Sequence, residues 1–258
     1  MAKRRAQRKG RGAESWMGPG RGRWILGTAT LVLVVVAVVI AVGLASQSGD
    51  GDEGAVDVDG TAVQEAHICV SGRVPVDGTT CGSKDAPVKI IEFSDYQCPW
   101  CKRFVDATEL ELEHQYIDKG LVQLEFHNFA MLGGDAPPEQ NESTLAAEAA
   151  ECANDQGRYW EYHYKLFAEQ RGENQGTFRP ERLKQFASEL RLDREDFDRC
   201  LDSHEHSDLI LEQQRAALEA GVRGTPSFLV NGELAEGFRT FEQFAALIEA
   251  ALASTEGS

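Results

Sequence analysis

Two cysteines separated by two residues, Cys98-Pro99-Trp100-Cys101, stand directly behind a short apolar run, residues 87–94 (PVKIIEFS), and ahead of Phe104, Val105, Leu110 and Leu112. A run so rich in β-branched and aromatic residues reads as a buried strand, and the apolar positions after it read as a helix. A cysteine pair at a strand-to-helix junction constrains the chain more than any other feature of it. Cys98 would lie at the helix N-terminus, where unpaired N–H groups and the helix dipole stabilise a thiolate. Cys101, one turn inside the helix, would be shielded and act as the resolving thiol. A stabilised thiolate is a good leaving group, so a disulfide between the two would be easily broken and strongly oxidising. The same pair could serve as a structural disulfide or as half of a zinc site. Zinc wants a second CxxC or a histidine pair at matching spacing. Cys69 and Cys81 are twelve positions apart and His204 and His206 are remote, so no metal is expected.

Beyond the pair, a helix is expected to end near Gly120, and residues 121–129 (LVQLEFHNF) alternate as a second strand. Roughly ninety residues of helical period follow, with start signals at Pro180, ahead of Leu183, Phe186, Ala187 and Leu190, and at Asp193, ahead of Glu195 and Asp196. Strand character returns at residues 227–230 (SFLV), followed by an Asn231-Gly232 turn and a short strand near 233–236. Thr240 and Gln243 form a capping box for a last helix that places Phe241, Phe244, Ala245, Ile248 and Leu252 on one face. The order β-α-β, helices, β-β-α defines an α/β chain with helices inserted at about residues 138–215.

The formal net charge of −16 conceals two opposite halves. Residues 1–23 carry eight bases against Glu14 alone, a balance of +7, so the remainder carries −23. So acidic a domain is a poor partner for nucleic acid, whose phosphates it would repel. Residues 24–45 are almost continuously apolar and hold no charge. A helix of that length rises about 33 Å, enough to cross a hydrocarbon core of roughly 30 Å. Basic residues stay cytoplasmic, so the expected arrangement is a head at 1–23, a single transmembrane helix at 24–45, and everything later outside the cell membrane. Cleavage as a signal peptide at Gly43-Leu44-Ala45 is the rival reading, but the apolar region exceeds the usual 7–15 residues. Residues 46–65, with six acids, four glycines and no aromatic, read as a flexible tether ahead of a domain at 66–258.

All six cysteines fall in the exported part, where an even count favours disulfides. Cys69 and Cys81 bracket a Gly/Pro-containing stretch. Cys152 shares an apolar stripe with Leu145 and Ala149, and Cys200 shares one with Phe197 and Leu201. Of fifteen possible pairings, the local sequence favours structural bridges Cys69–Cys81 and Cys152–Cys200, with a second redox relay through Cys69 and Cys81 as the alternative. On the chain-entropy model the two bridges would contribute about 3 and about 4 kcal/mol respectively. The six histidines are expected to be solvated or packed, and Asn141-Glu142-Ser143 matches a glycosylation sequon.

The stretch VKIIEFSDYQCPWC, followed much later by GVRGTPSFLVNGE, resembles the DsbA-like branch of thioredoxin-fold oxidoreductases in its membrane-anchored bacterial form, over roughly residues 86–252. FHNFAMLGG and AAECANDQGRYWEYHYKLF are also similar to family sequence. The resemblance implies a thioredoxin-like fold with an inserted helical subdomain. It also implies a buried acid at Glu92 that exchanges a proton with Cys101, and a cis-proline at Thr225-Pro226 facing the disulfide. Thr225 would then pair with an extended substrate peptide beside Cys98, and Pro99 and Trp100 would offer it apolar surface. Pro99-Trp100 departs from the Pro-His of the strongest oxidases. The expected activity is an extracytoplasmic thiol:disulfide oxidoreductase without a cofactor that oxidises exported, unfolded or reduced proteins and is reoxidised by a membrane-embedded, quinone-linked oxidase. A reductase or isomerase with the same residues, or a non-catalytic chaperone on the same fold, are the alternatives. Copper delivery would want a CxxxC and a distal histidine.

Overall fold

The computed structural model describes residues 67–134 and 136–256. The expected head, transmembrane helix and tether lie outside these residues. Among the described residues no helix is long and apolar enough to cross a membrane.

Two very short strands, β1 (Val76–Asp77) and β2 (Thr80–Cys81), precede β3 (Val88–Ser94), the strand that leads into the cysteine pair. β3 runs parallel to β4 (Val122–Asn128) and antiparallel to β5 (Ser227–Val230), which pairs in turn with β6 (Glu233–Glu236). The six-stranded sheet has the order β1-β2-β4-β3-β5-β6. Strands this deep in a sheet are covered on both faces, which explains why β3 reads as a nearly unbroken apolar run. Phe93 packs with Phe129, Ala217 and Val222. Val88, Ile90 and Glu92 alternate with it and are likewise buried. The register sets Glu92 between Phe126 of β4 and Phe228 of β5.

A parallel pair needs a crossover, and the crossover carries the cysteines. It begins as α1 (Pro99–Phe104), widens into a π-helical stretch at Val105–Glu109, returns for one turn as α2 (Leu110–Leu112), and widens again at Glu113–Ile117. The sequence pattern predicts one uniform helix there. The observed π stretches coincide with Thr108, Glu109 and Glu113, polar residues that are all fully buried. Gly120, at a φ of +71°, turns the chain into β4.

Among the described residues, five α-helices separate β4 from β5: α3 (Glu142–Asn154), α4 (Tyr159–Glu169), α5 (Pro180–Glu189), α6 (Arg194–Ser203) and α7 (Ser207–Glu219). Asp193 caps α6 by accepting from the N–H groups of Glu195 and Asp196, both at 3.0 Å. Asn141 caps α3 by accepting from the Thr144 N–H at 3.0 Å. That role buries the asparagine of the sequon, and Gly133 lies against it so closely that a Cβ there would come within 1.9 Å of its side chain. Cys152–Cys200 ties α3 to α6, and Cys69–Cys81 ties the turn Ile68–Val70 to β2. The last helix, α8 (Phe241–Glu256), lays Phe244 against Phe104 and Phe228. Thr240 and Gln243 cap it reciprocally, as the sequence predicts.

Candidate active site

Cys98 is the N-cap residue of α1, with Pro99 at the first helical position. Proline lacks the N–H that would be unpaired there and is preset for helical φ. The approach to Cys98 is held from several directions. The Cys98 N–H donates to the Asp95 carbonyl at 2.9 Å. The buried Asp95 carboxylate accepts from the N–H groups of Gln97 and Met131 at 2.8 Å, of Leu132 at 3.0 Å, and from the Ser143 hydroxyl at 2.8 Å. Gln170, at the end of α4, donates to the carbonyls of Tyr96 and Cys98. Sequence reasoning found neither Asp95 nor Gln170. Asp95 directly follows the predicted strand 87–94, and no local pattern marks Gln170.

The Thr225-Pro226 bond is cis, and the Cys98 thiol donates to the Thr225 carbonyl at 3.4 Å. The following loop is joined to the same place, because the Gly237 N–H donates to the Pro226 carbonyl at 2.9 Å. The structure thus brings Cys98, Cys101, Thr225 and Pro226 together from two halves of the chain. Cys98 and Cys101 are both free thiols here, Cys98 nearly and Cys101 fully buried. Pro99 and Trp100 are exposed, Trp100 by 54 %.

The two thiols are pushed in opposite directions. Cys98 is held at about 6, against an ordinary 9.0, chiefly by a hydrogen bond from the Cys101 thiol. The Thr225 side chain and the backbone N–H groups of Cys101 and Trp100 add to this, outweighing burial. Burial pushes Cys101 well above the ordinary range, and its neighbour Cys98 adds to the rise. Glu92 is fully buried, and neither carboxyl oxygen has a hydrogen-bond partner. Burial raises it to about 8, and the charge of Cys98 adds to the rise. A buried carboxyl held at about 8 and electrostatically linked to Cys98 can exchange a proton near neutral pH.

A second buried polar group lies under the N-terminal turn. His67 Nδ1 is 2.7 Å from Glu113, and Tyr164 donates to Glu113 at 2.8 Å and to Glu109 at 3.2 Å. Burial, with Glu92 and Glu113 nearby, raises Glu109 well above the carboxylate range. His67, Glu109 and Glu113 offer atoms within 4.8 Å of one another, the spacing a metal ion would use. Here hydrogen bonds among themselves and with Tyr164 already engage them. His163 is buried as well. His204 and His206 are paired, with Glu148 at 2.7 Å and Asp155 at 2.8 Å.

A low thiol and a high thiol at the start of a crossover helix, faced by a cis-proline loop, define a thiol:disulfide oxidoreductase of thioredoxin-like fold. The Thioredoxin family model matches residues 76–250, and the chain belongs to that family. It is 36 % identical over 159 residues to a Probable disulfide bond formation protein D of Bacillus anthracis, covering 60 % of this chain and 70 % of that one. The crystal structure of oxidised BdbD from Bacillus subtilis superposes with a TM-score of 0.61 at 28 % identity, over 68 % of this chain and 93 % of that one. A further likeness, 33 % over 178 residues, is to Na(+)/H(+) antiporter NhaA 1 of Salinispora arenicola. It covers 67 % of this chain and only 24 % of that protein's length.

Proposed function

We propose that Cys98 and Cys101 form a disulfide-introducing centre outside the cytoplasm. The observation that carries this reading is the lowered Cys98 thiol, at about 6, paired with a raised Cys101. In the oxidised protein, a substrate thiolate attacks the Cys98 sulfur. A substrate–Cys98 bond forms, the Cys98–Cys101 bond breaks, and Cys101 leaves with the electron pair and takes the Glu92 proton. A second substrate thiolate then attacks the substrate sulfur of the mixed disulfide. The substrate disulfide forms and Cys98 departs as a thiolate, stable at neutral pH. Two electrons have passed from substrate to the cysteine pair. Thr225 and Pro226 hold the substrate backbone in extended form, while Pro99 and Trp100 supply apolar contact.

The substrates in this reading are exported, unfolded or reduced proteins. Residues 24–45 anchor the chain with its N-terminus cytoplasmic, and residues 46–65 tether the domain at 66–258, whose helical insertion occupies about 138–215. A membrane-embedded, quinone-linked oxidase returns the pair to the disulfide. The name of the Bacillus anthracis relative, disulfide bond formation protein D, supports disulfide formation as the direction of exchange. Expression of a Cys101→Ser variant tests the proposal. Exported cysteine-containing proteins are expected to accumulate on Cys98 as reducible adducts, and an absence of adducts from a folded variant would overturn it.

A further inference from the structure

Beside the cysteine pair the surface changes character. The exposed Trp100 ring lies 6.0 Å from Phe238, and the Arg103 guanidinium lies over both, 5.6 Å from the Trp100 centroid and 4.9 Å from that of Phe238. The loop that presents Phe238 is pinned on either side, by Gly237 donating to the Pro226 carbonyl and by the Thr108 hydroxyl donating to the Arg239 carbonyl at 3.0 Å. Trp100 thus stands two positions after Cys98, Phe238 follows the Gly237 that is bonded to Pro226, and Arg103 lies over both rings. A guanidinium stacked on aromatic faces keeps its N–H edge free and loses little freedom when it pairs with a planar anion. Arg103 is exposed and forms no ion pair among the described residues. Its basic neighbour differs, since Lys102 is engaged by Asp106 at 3.0 Å.

An unengaged cation five positions after Cys98, in a domain (66–258) with a formal charge of −17, is a local reversal of the prevailing field. We propose that Trp100, Phe238 and Arg103 form a selecting rim that favours substrate segments in which the cysteine is flanked by an apolar residue and a carboxylate. The apolar side chain lies against the two rings and the carboxylate meets the guanidinium edge. Charge complementarity commits the rim to this occupant: the domain's overall charge would attract basic segments, and only Arg103 in the rim favours acidic ones. The inference rests on Cys98 being the sulfur that meets substrate, but not on the direction of exchange.

The test uses the full chain carrying Cys101→Ser and three peptides that differ only after the cysteine: Phe-Cys-Asp, Phe-Cys-Lys and Phe-Cys-Ala. Each is supplied as a mixed disulfide with thionitrobenzoate. The Cys98 thiolate attacks the peptide sulfur, the peptide–Cys98 bond forms, and thionitrobenzoate leaves as its thiolate. Adduct formation is followed by mass and expressed per Cys98 thiolate, so that a change in the thiol's acidity is removed. The Asp peptide is expected to react about three- to fivefold faster than the Lys peptide at low salt. The ratio should fall towards one at 1 M salt, where the screening length is about 3 Å. Arg103→Gln is expected to turn the preference over to Lys, and Arg103→Lys to keep a reduced preference for Asp. A wild-type preference for Lys, or an Asp preference untouched by Arg103→Gln, would overturn the selecting rim. No adduct with any peptide would instead count against Cys98 as the attacking sulfur.

Discussion

The Cys98 thiol donates a hydrogen bond to the carbonyl oxygen of Thr225, 3.4 Å away and 127 positions later in the chain. This bond exists only while Cys98 carries its proton. A thiolate cannot donate, and neither can a sulfur joined to a substrate. When Cys98 ionises or forms a mixed disulfide, the Thr225 carbonyl becomes free to accept an N–H from the peptide attached to that sulfur. In the proposed reading, chemistry at the sulfur and pairing of the substrate backbone are coupled through this one acceptor.

The acidity of Cys98 is the first quantity to measure. Thiolate absorbance of the reduced protein should show one group titrating with a midpoint at about 6. Cys101→Ala removes the largest cause, the hydrogen bond from the Cys101 thiol, and should raise the midpoint by about one to two pH units. The sign follows for stability. An unfolded thiol titrates near 9.0, so the reduced form gains stability relative to the oxidised form as pH rises from about 6 towards 9, and loses that advantage below 6. Thermal unfolding of both redox forms between pH 5 and 8.5 checks this.

Glu92 has the opposite sign. Its folded value, about 8, lies above the ordinary 4.5, so its stabilising protonated form is complete below 4.5 and the contribution is lost as pH rises through 8. Glu92→Gln should therefore gain stability relative to the parent between pH 4.5 and 8, read from denaturant midpoints. The same substitution should slow thiol–disulfide exchange by about a hundredfold and remove the inflection near pH 8 from its rate profile.

Asp95 stabilises the approach to Cys98 by accepting from four donors on three segments. Asp95→Ala leaves those donors unpaired in a buried site and should cost about 2–4 kcal/mol in equilibrium unfolding. A loss below about 0.5 kcal/mol would contradict this role.

The two bridged pairs should separate stability from activity. Replacing Cys152 and Cys200 together by serine opens the wider loop, of sequence separation 48, and should cost about 4 kcal/mol. Replacing Cys69 and Cys81, separated by 12, should cost about 3 kcal/mol. In either case the Cys98 titration midpoint should stay where it is. A shifted midpoint would tie these bridges to the redox site.

Much of the framework was legible because its signals are local. The strand 227–230, its Asn231-Gly232 turn and the Thr240/Gln243 box follow from residues within a few positions of one another, and each stands where its pattern predicts. β1 and β2 left no signal, being two residues each and defined by pairing, Thr80 with Glu125 and Cys81 with Leu124. The acids were the least legible. Glu109 and Glu113 look like the solvated face of a helix, and only the π-helical stretches and the arrival of His67 and Tyr164 make their burial intelligible. Asp95 depends on donors from residues 131, 132 and 143, which no local pattern connects to it.

The reduction potential of the Cys98–Cys101 couple, equilibrated against glutathione at pH 7, tests the central claim most directly. Each pH unit by which the folded protein favours the Cys98 thiolate stabilises the reduced form and raises the potential. The expected value is well above that of a reductase, nearer about −120 mV than about −270 mV. A value at or below about −270 mV would contradict a disulfide-introducing role and assign the same cysteines to reduction.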